Sequence, residues 1–339
     1  MKNIVPEASI GHLFMVGLPG TSLDQSTLDL VRTQRINNFI LFARNVESPG
    51  QLRSLTASLR QACRNEGLAP PLISIDQEGG SVSRLPPPFT QFPDARLLAG
   101  AADPEGELDN FAEICARELT GIGVNFNLAP VLDVCEEEQG LFMARRSLGS
   151  DPARVAELGR FVIIAMQKRG LAACAKHFPG LGAAVIDPHH TLPEVHRQAD
   201  LLLGRDLLPF RVAAAAGVAA IMTSHTVYHA LDSENPATLS EKILTGLLRT
   251  EIGYNGIIIT DDLEMGAIEN EQPLERAALT AFTAGADLLL ICHDHDKVKK
   301  ARALLLAAVQ KGDISAQRVA ASVGRVAAVS RRFALDPGS

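Results

Sequence analysis

One stretch of the sequence decides the fold: GIIITDDL, residues 256–263. Three consecutive isoleucines follow a glycine, and two carboxylates come soon after them. A continuous apolar run of this kind is typical of a strand that is buried on both faces, as in a parallel sheet. The stretch therefore predicts a buried strand with ionisable side chains where it ends.

Short apolar runs that end in polar, glycine or proline residues recur about eight times. They predict strands at 12–16, 39–42, 72–75, 124–128, 172–175, 220–223, 256–260 and 287–291. Between these runs, the 3.6-residue apolar period predicts helices at 54–63, 108–119, 153–167, 201–216 and 240–252. In the last helix, Ser240 is the expected N-cap and Gly253 the expected stop.

Strands that alternate with helices imply right-handed βαβ units. About eight such units predict an α/β fold, a (β/α)8 TIM-like barrel, with residues 1–339 as a single domain. A doubly wound open sheet is the alternative. Its nucleotide-binding versions are disfavoured because neither glycine-rich phosphate-binding motif follows the first strand.

The composition argues against several classes of partner. The 339 residues include 32 Lys+Arg against 39 Asp+Glu, a formal net charge of −7, with 13 Phe, 2 Tyr and no Trp. Nucleic-acid binding and a polybasic membrane patch both need a basic face. Single-strand nucleic-acid binders and lectins usually display stacking aromatic residues. We therefore expect no nucleic-acid partner and no membrane partner.

The cysteines and the apolar runs bear on location. The five cysteines are odd in number and lack CxxC spacing, which is typical of reduced cysteines in a cytosolic protein. No apolar run reaches the roughly 18 residues of a membrane helix, and no signal segment is recognisable. We expect a cytoplasmic location. Residues 292–295, Cys-His-Asp-His, have a metal-like composition, but their spacing does not favour a site, so we expect no metal.

Barrel enzymes carry their chemistry at the C-terminal ends of the strands. Ionisable and amide side chains gather at the predicted ends: Arg44, Asn45, Asp76, Gln77, Glu78, Asn127, Asp133, Lys176, His177, Ser224, His225, Asp261, Asp262, His293 and Asp294. This pattern indicates an enzyme without saying which one.

Two short segments suggest specific chemistry. Asp187 lies two residues before His189 and can reach the imidazole, which would fix its tautomer and suit it to general acid/base work. An exposed His189 beside a turn-capping Asp187 is the alternative. After the strand at 256–260, alternation predicts that one of Asp261 and Asp262 points into the barrel mouth and the other away. Asp261 is the functional candidate, whereas Asp262 is expected to act as an N-cap or in another structural role.

Two further residues stay ambiguous. Glu78 is expected to pack or to cap under its loop. His225 fits a pocket wall and a core position equally well.

Taken together, six motifs resemble family 3 glycoside hydrolases, specifically the single-domain β-N-acetylhexosaminidases of bacterial cell-wall recycling. They are ILFARN (40–45), DQEGG (76–80), NLAPVLDV (127–134), KHFPG (176–180), D-x-H (187–189) and TDDL (260–263). The resemblance covers nearly the whole chain. The sequence differs from the usual family pattern at Ser81, at Leu181, at 183–184 and at Pro188.

The resemblance implies a role for each matching residue. Asp261 corresponds to the catalytic nucleophile, His189 to the general acid/base and Asp187 to its partner. The residues that correspond to those holding the terminal N-acetylglucosamine are Asp76, Arg84, Arg146, Lys176 and His177.

The implied activity is a retaining β-N-acetylglucosaminidase that acts on muropeptide fragments without a metal or an organic cofactor. Three alternatives stay open: a phosphorylase on the same scaffold, a non-catalytic muropeptide sensor, and a Schiff-base aldolase that uses Lys176.

Overall fold

A computed structural model describes residues 7–136, 142–184, 188 and 191–335. Eight of its strands form one parallel sheet. These strands are β1 (Phe14–Gly17), β2 (Asn38–Leu41), β3 (Leu72–Ile75), β4 (Phe126–Asn127), β5 (Ala172–Phe178), β6 (Ala220–Thr223), β7 (Ile257–Ile259) and β8 (Leu289–Ile291).

The strands lie side by side in chain order, and β8 pairs with β1. A parallel bridge between Ile259 and Leu288 joins β7 to β8 and completes the ring. This closure confirms the predicted (β/α)8 barrel and rejects the open sheet. Each of the eight predicted strands overlaps an observed one, and the predictions at 72–75 and 220–223 coincide with β3 and β6.

Helices follow the strands around the outside of the barrel. They are α1 (Ala8–Gly11), α2 (Gln25–Gln34), α3 (Pro49–Asn65), α4 (Ala95–Ala99), α5 (Pro104–Gly121), α6 (Pro152–Lys168), α7 (Ala199–Leu201), α8 (Leu208–Ala215), α9 (Gly266–Glu269), α10 (Leu274–Ala284), α11 (His295–Lys311) and α12 (Ala316–Arg332). Among the helices of the described ranges, none is both long enough and apolar enough to cross a membrane.

Shorter elements complete the chain. They are the 3-10 turns Ala43–Asn45 and Ala237–Leu239, the π-helical segments Leu202–Asp206 and Lys242–Glu251, and the short strands Gln77–Gly79, Val82–Ser83, Glu194–Val195, Val227–Tyr228 and Asp232–Pro236. The helix predicted at 201–216 is thus divided into a π-helical and an α-helical part. The helix predicted at 240–252 is π-helical. Ser240 Oγ accepts the N–H of Ile243, and Gly253 follows with a φ of +74°.

Alternation along the strands sets which side chains enter the barrel. In β5, Ala172 and Cys174 belong to the apolar cluster that fills the barrel interior. Ala173 and Ala175 belong to the cluster between the sheet and the helices. Lys176 continues the inward-facing series at the C-terminal end of the strand. The strand alternation therefore places the ammonium group of Lys176 at the barrel mouth.

A buried charge network connects α12 to the barrel at the N-terminal ends of its strands. Asp287, fully buried just before β8, pairs with Arg249 at 2.6 Å and with Arg318 and Arg325 of α12 at 3.5 and 3.0 Å. Ser322 of α12 also donates to its carboxylate. A buried carboxylate is stable only when it is paired and hydrogen-bonded, so this network holds α12 in place.

We expect Asp287→Ala to lower the free energy of unfolding by about 3 kcal/mol, because three partly buried guanidinium groups lose their shared partner. Urea denaturation measures the change. Glu157→Ala, which breaks the exposed pair between Arg154 and Glu157, is the matched control and should cost less than about 1 kcal/mol. Equal costs for the two variants would contradict a structural role for the network.

Candidate active site

A pocket opens at the C-terminal ends of the barrel strands. Six of the eight residues predicted for the site line it: Asp76, Arg84, Arg146, Lys176, His177 and Asp261. Apolar side chains, among them Phe42, Phe142, Leu181 and Met222, form other parts of its wall. The structure thus brings together polar groups from five different loops or strand ends.

Asp76 is the centre of the polar wall. Its Oδ1 accepts from Lys176 Nζ at 2.8 Å, and its Oδ2 lies 3.4 Å from an Nη of Arg84. Burial raises the pKa of Asp76, but the cations Lys176 and Arg84 outweigh burial and hold the pKa below its ordinary value. Asp76 is therefore an ionised acceptor. Arg84 Nε is buried and has no hydrogen-bond partner among the described residues.

Glu78 joins two of the predicted binding residues. Its carboxylate accepts from Nε and an Nη of Arg146, both at 2.8 Å, and lies 2.6 Å from Lys176 Nζ. The bidentate pair fixes the plane of the guanidinium group. Burial raises the pKa of Glu78, but Lys176 and Arg146 together hold it well below its usual range. Glu78 is buried and does not line the pocket, which agrees with the expected structural role under its loop, and its carboxylate positions both cations.

Lys176 is 2% exposed and lies between two carboxylates. Burial lowers its pKa, but Asp76 and Glu78 more than offset this effect, so its pKa lies above the ordinary value. A Schiff-base amine must lose its proton to attack a carbonyl. The charge environment of Lys176 therefore disfavours the aldolase alternative.

His177 is held by a carboxylate that the sequence identified only as one of several polar residues. Asp133, fully buried after β4, accepts from His177 Nδ1 at 2.8 Å and from the N–H groups of His177 and Leu181. If Nδ1 carries the proton, Nε2 of the imidazole is left as an acceptor. Asp133 thus fixes both the ring and the chain that follows β5.

Asp261 continues the inward-facing series of β7. Ile257 and Ile259 belong to the interior cluster, and Asp261 is the next residue with the same orientation. One of its carboxylate oxygens accepts the N–H of Asp262 at 2.8 Å. Asp261 lies in the pocket wall, where the functional candidate was expected.

Asp262 also lines the pocket, so the prediction that one of the two carboxylates points away from the mouth was wrong. A turn closed by the Met265 N–H on the Asp262 carbonyl breaks the strand alternation. The Asp262 side chain accepts the N–H of Glu264 at 3.1 Å and caps this turn, which agrees with a structural role. Burial raises the pKa of Asp262 to about 7, and the nearby Glu264 carboxylate adds to the rise.

Asp187 and His189, the predicted acid/base pair, lie outside the described residues. Pro188, the residue between them, is described and lines the pocket. Its carbonyl accepts the N–H of Ala267 in α9 at 3.1 Å.

His225 occupies a core position. Its Nδ1 is 2.7 Å from Thr238 Oγ1 and its Nε2 is 2.9 Å from the carbonyl of Asp262. It is fully buried and does not line the pocket.

One group beside the pocket has the composition of a metal site. Side-chain ligand atoms of Asp262, Glu264 and His293 lie within 4.8 Å of one another. The two oxygens of Glu264, however, already accept from the backbone N–H groups of His293 and Asp294. This arrangement favours a structural role, in which Glu264 holds the backbone of His293 and Asp294, over a metal centre.

Comparisons with known proteins agree on one family. Residues 7–329 match the family described as "Glycosyl hydrolase family 3 N terminal domain". A protein named Beta-hexosaminidase from Alkalilimnicola ehrlichii is 38% identical over 289 residues, 84% of this chain and 81% of that protein. Another Beta-hexosaminidase, from Pseudomonas aeruginosa, is 33% identical over 88% of this chain and 86% of that protein.

Solved structures give the same result. A family 3 β-N-acetylglucosaminidase from a Paenibacillus species matches with a TM-score of 0.92 and 38% identity, over 98% of this chain. This chain spans 63% of that protein's length, less than two thirds of it. A β-N-acetylhexosaminidase from Beutenbergia cavernae matches with a TM-score of 0.89 and 30% identity, over 98% of this chain and 100% of the other.

The raised pKa of Asp262 predicts a pH-dependent stability. A carboxyl group whose pKa is about 7 in the folded chain and near 4 when unfolded stabilises the fold below pH 4 and loses that contribution as pH rises through 7. Asp262→Asn keeps an acceptor for Glu264 N–H but cannot ionise. As the pH rises from 5 to 8, wild type loses this contribution and the variant does not. The free energy of unfolding of Asp262→Asn should therefore rise by about 2–3 kcal/mol relative to that of wild type over this range.

Urea denaturation across this pH range measures the difference. Asp200→Asn, at an exposed position of α7, is the matched control and should run parallel to wild type. Parallel curves for wild type and Asp262→Asn would show that Asp262 does not titrate in this range.

Proposed function

The chain belongs to glycosyl hydrolase family 3, and from that premise we propose that it is a retaining β-N-acetylhexosaminidase that removes terminal N-acetylglucosamine. The observation that carries the proposal is a single pocket in which Asp261 shares the wall with Asp76, Arg84, Arg146 and Lys176. A carboxylate beside a set of fixed hydrogen-bonding groups is what a glycosidase needs to hold a sugar and attack its anomeric carbon.

The polar wall suits a pyranose ring. Lys176 and Arg84 each engage one oxygen of Asp76 and keep the carboxylate ionised, so it can accept hydrogen bonds from neighbouring sugar hydroxyl groups. The buried Arg84 Nε needs an acceptor, which a sugar oxygen would supply. Glu78 and Asp133 act behind this wall as positioning residues for Arg146, Lys176 and His177.

Asp261 is the proposed nucleophile. In the first step a carboxylate oxygen of Asp261 forms a bond to C1 while the bond from C1 to the leaving oxygen breaks, giving a covalent glycosyl-enzyme. The Asp262 N–H donates to one oxygen of Asp261 and fixes the carboxylate plane. Water then displaces Asp261, so the configuration at C1 is retained.

His189, oriented by Asp187, is the proposed general acid/base. It donates a proton to the leaving oxygen in the first step and accepts one from water in the second. The position of Pro188 in the pocket wall supports this assignment, because it is the residue between the two. In contrast to a Glu, a histidine acid does not repel an anionic leaving group, which would suit a muramic-acid-type sugar with a lactyl carboxylate.

We further propose peptidoglycan-derived muropeptides as the substrate class, cell-wall recycling as the process and the cytoplasm as the location. These finer assignments rest on the motif resemblance and on the reduced-cysteine pattern of the sequence.

Asp261→Asn should lower the release of p-nitrophenol from p-nitrophenyl N-acetyl-β-D-glucosaminide by at least about a thousandfold, because the amide is a poor nucleophile. Asp200→Asn is the matched control and should keep wild-type activity. The proposal fails if folded wild type releases no p-nitrophenol, or if Asp261→Asn releases it at the wild-type rate.

His189→Ala should slow substrates with poor leaving groups by about 10²–10⁴-fold, because their leaving oxygen needs a proton. A dinitrophenyl glycoside, whose leaving group departs as the anion, should lose much less in its first step. Pre-steady-state kinetics on both substrates separates that step from the hydrolysis of the intermediate. Equal losses in the first step would argue against His189 as the acid.

A further inference from the structure

A small sheet lies beyond the C-terminal ends of β5 and β6. In it, the strand Glu194–Val195 runs parallel to Val227–Tyr228, with Glu194 opposite Val227. The N–H of His229 continues the pairing by donating to the Val195 carbonyl at 3.2 Å. Backbone pairing therefore places His229, directly after one strand, beside Glu194 on the other.

Three exposed side chains converge on this sheet. One oxygen of Glu194, Oε2, lies 2.8 Å from His229 Nε2 and 3.2 Å from His196 Nε2. The two imidazole rings stack with their centroids 4.2 Å apart and an interplanar angle of 13°. Both rings thus direct the same nitrogen towards one carboxylate, and the three ligand atoms lie within 4.8 Å of one another.

We propose that Glu194, His196 and His229 form a surface site for a divalent transition-metal ion, with Zn²⁺ as the representative. Two imidazoles and a carboxylate are a recurrent zinc ligand set, with water in the remaining position. Ligand atoms about 2.0–2.1 Å from a tetrahedral ion lie about 3.3 Å from one another. The separations from Glu194, 2.8 and 3.2 Å, are close to that spacing, and the two near-parallel rings must rotate until the ion lies in both ring planes.

The surroundings favour this group over the other metal-like group of the described chain. The interactions of Glu194 identified among the described residues are with the two histidines, and no lysine or arginine is among them. By contrast, Glu264 of the Asp262–Glu264–His293 group is occupied by backbone N–H groups and has Lys297 at 3.6 Å. A neighbouring ammonium opposes the binding of a cation.

The position of the site determines which parts of the chain a bound ion would connect. Glu194 lies a few residues after the segment that contains Asp187 and His189. A bound ion would hold Glu194 and His196 against His229, which follows the strand Val227–Tyr228. The inference does not depend on the proposed glycosidase activity, since the metal can be measured without substrate.

Isothermal titration with ZnCl₂ tests the proposal on the full chain, after chelator treatment and removal of any polyhistidine tag. We expect one zinc ion per chain. His196→Gln and His229→Gln should each weaken binding by more than about tenfold, because each removes a ligand. Glu194→Gln should weaken it as well. His293→Gln, which alters the other metal-like group, is the matched control and should bind as wild type does.

Three outcomes would overturn the proposal. They are no zinc binding by folded wild type, binding unchanged in both His196→Gln and His229→Gln, and binding lost in His293→Gln alone. Circular dichroism confirms that each variant is folded, and because the three ligands are exposed, replacing them removes no buried packing.

Discussion

The charge network around Lys176 is the constraint on which the site depends. Lys176 is 2% exposed and pairs with Asp76 and Glu78, and Glu78 in turn holds Arg146. With Arg84 on the other oxygen of Asp76, three cations surround the two carboxylates, whereas any of these charges alone would be costly to bury. Lys176 comes from β5, the carboxylates follow β3 and Arg146 follows β4, so the network forms only when these strands are neighbours. Fold and site therefore stabilise one another.

The fold was predictable because each strand of a parallel barrel can be recognised from its own short stretch of sequence. A run such as 220–223 is apolar on both faces, since one face meets the barrel interior and the other meets the helices. The same alternation predicted that one of the two carboxylates after β7 lies in the barrel mouth. The apolar pattern predicted a helix at 240–252 but did not show that its central part, Lys242–Glu251, is π-helical.

The missed parts of the site depend on contacts between distant residues. Glu78 lies 68 residues from Arg146 in the chain, and nothing near Glu78 in the sequence reveals that pairing. Asp133 was noticed as a polar residue at a strand end, but its role in orienting His177 required the structure. Asp262 was misplaced because a turn begins directly after β7, and strand alternation does not extend through a turn.

The central claim is that Asp261 becomes covalently bonded to the sugar. An activated N-acetylglucosaminyl fluoride with a second fluorine at C5 should form the glycosyl-enzyme faster than water removes it. Mass spectrometry of the protein after peptic digestion then locates the label. The mechanism predicts one sugar per chain, attached to Asp261. A label on another residue, or turnover of the reagent with no labelled protein at any time, would contradict it.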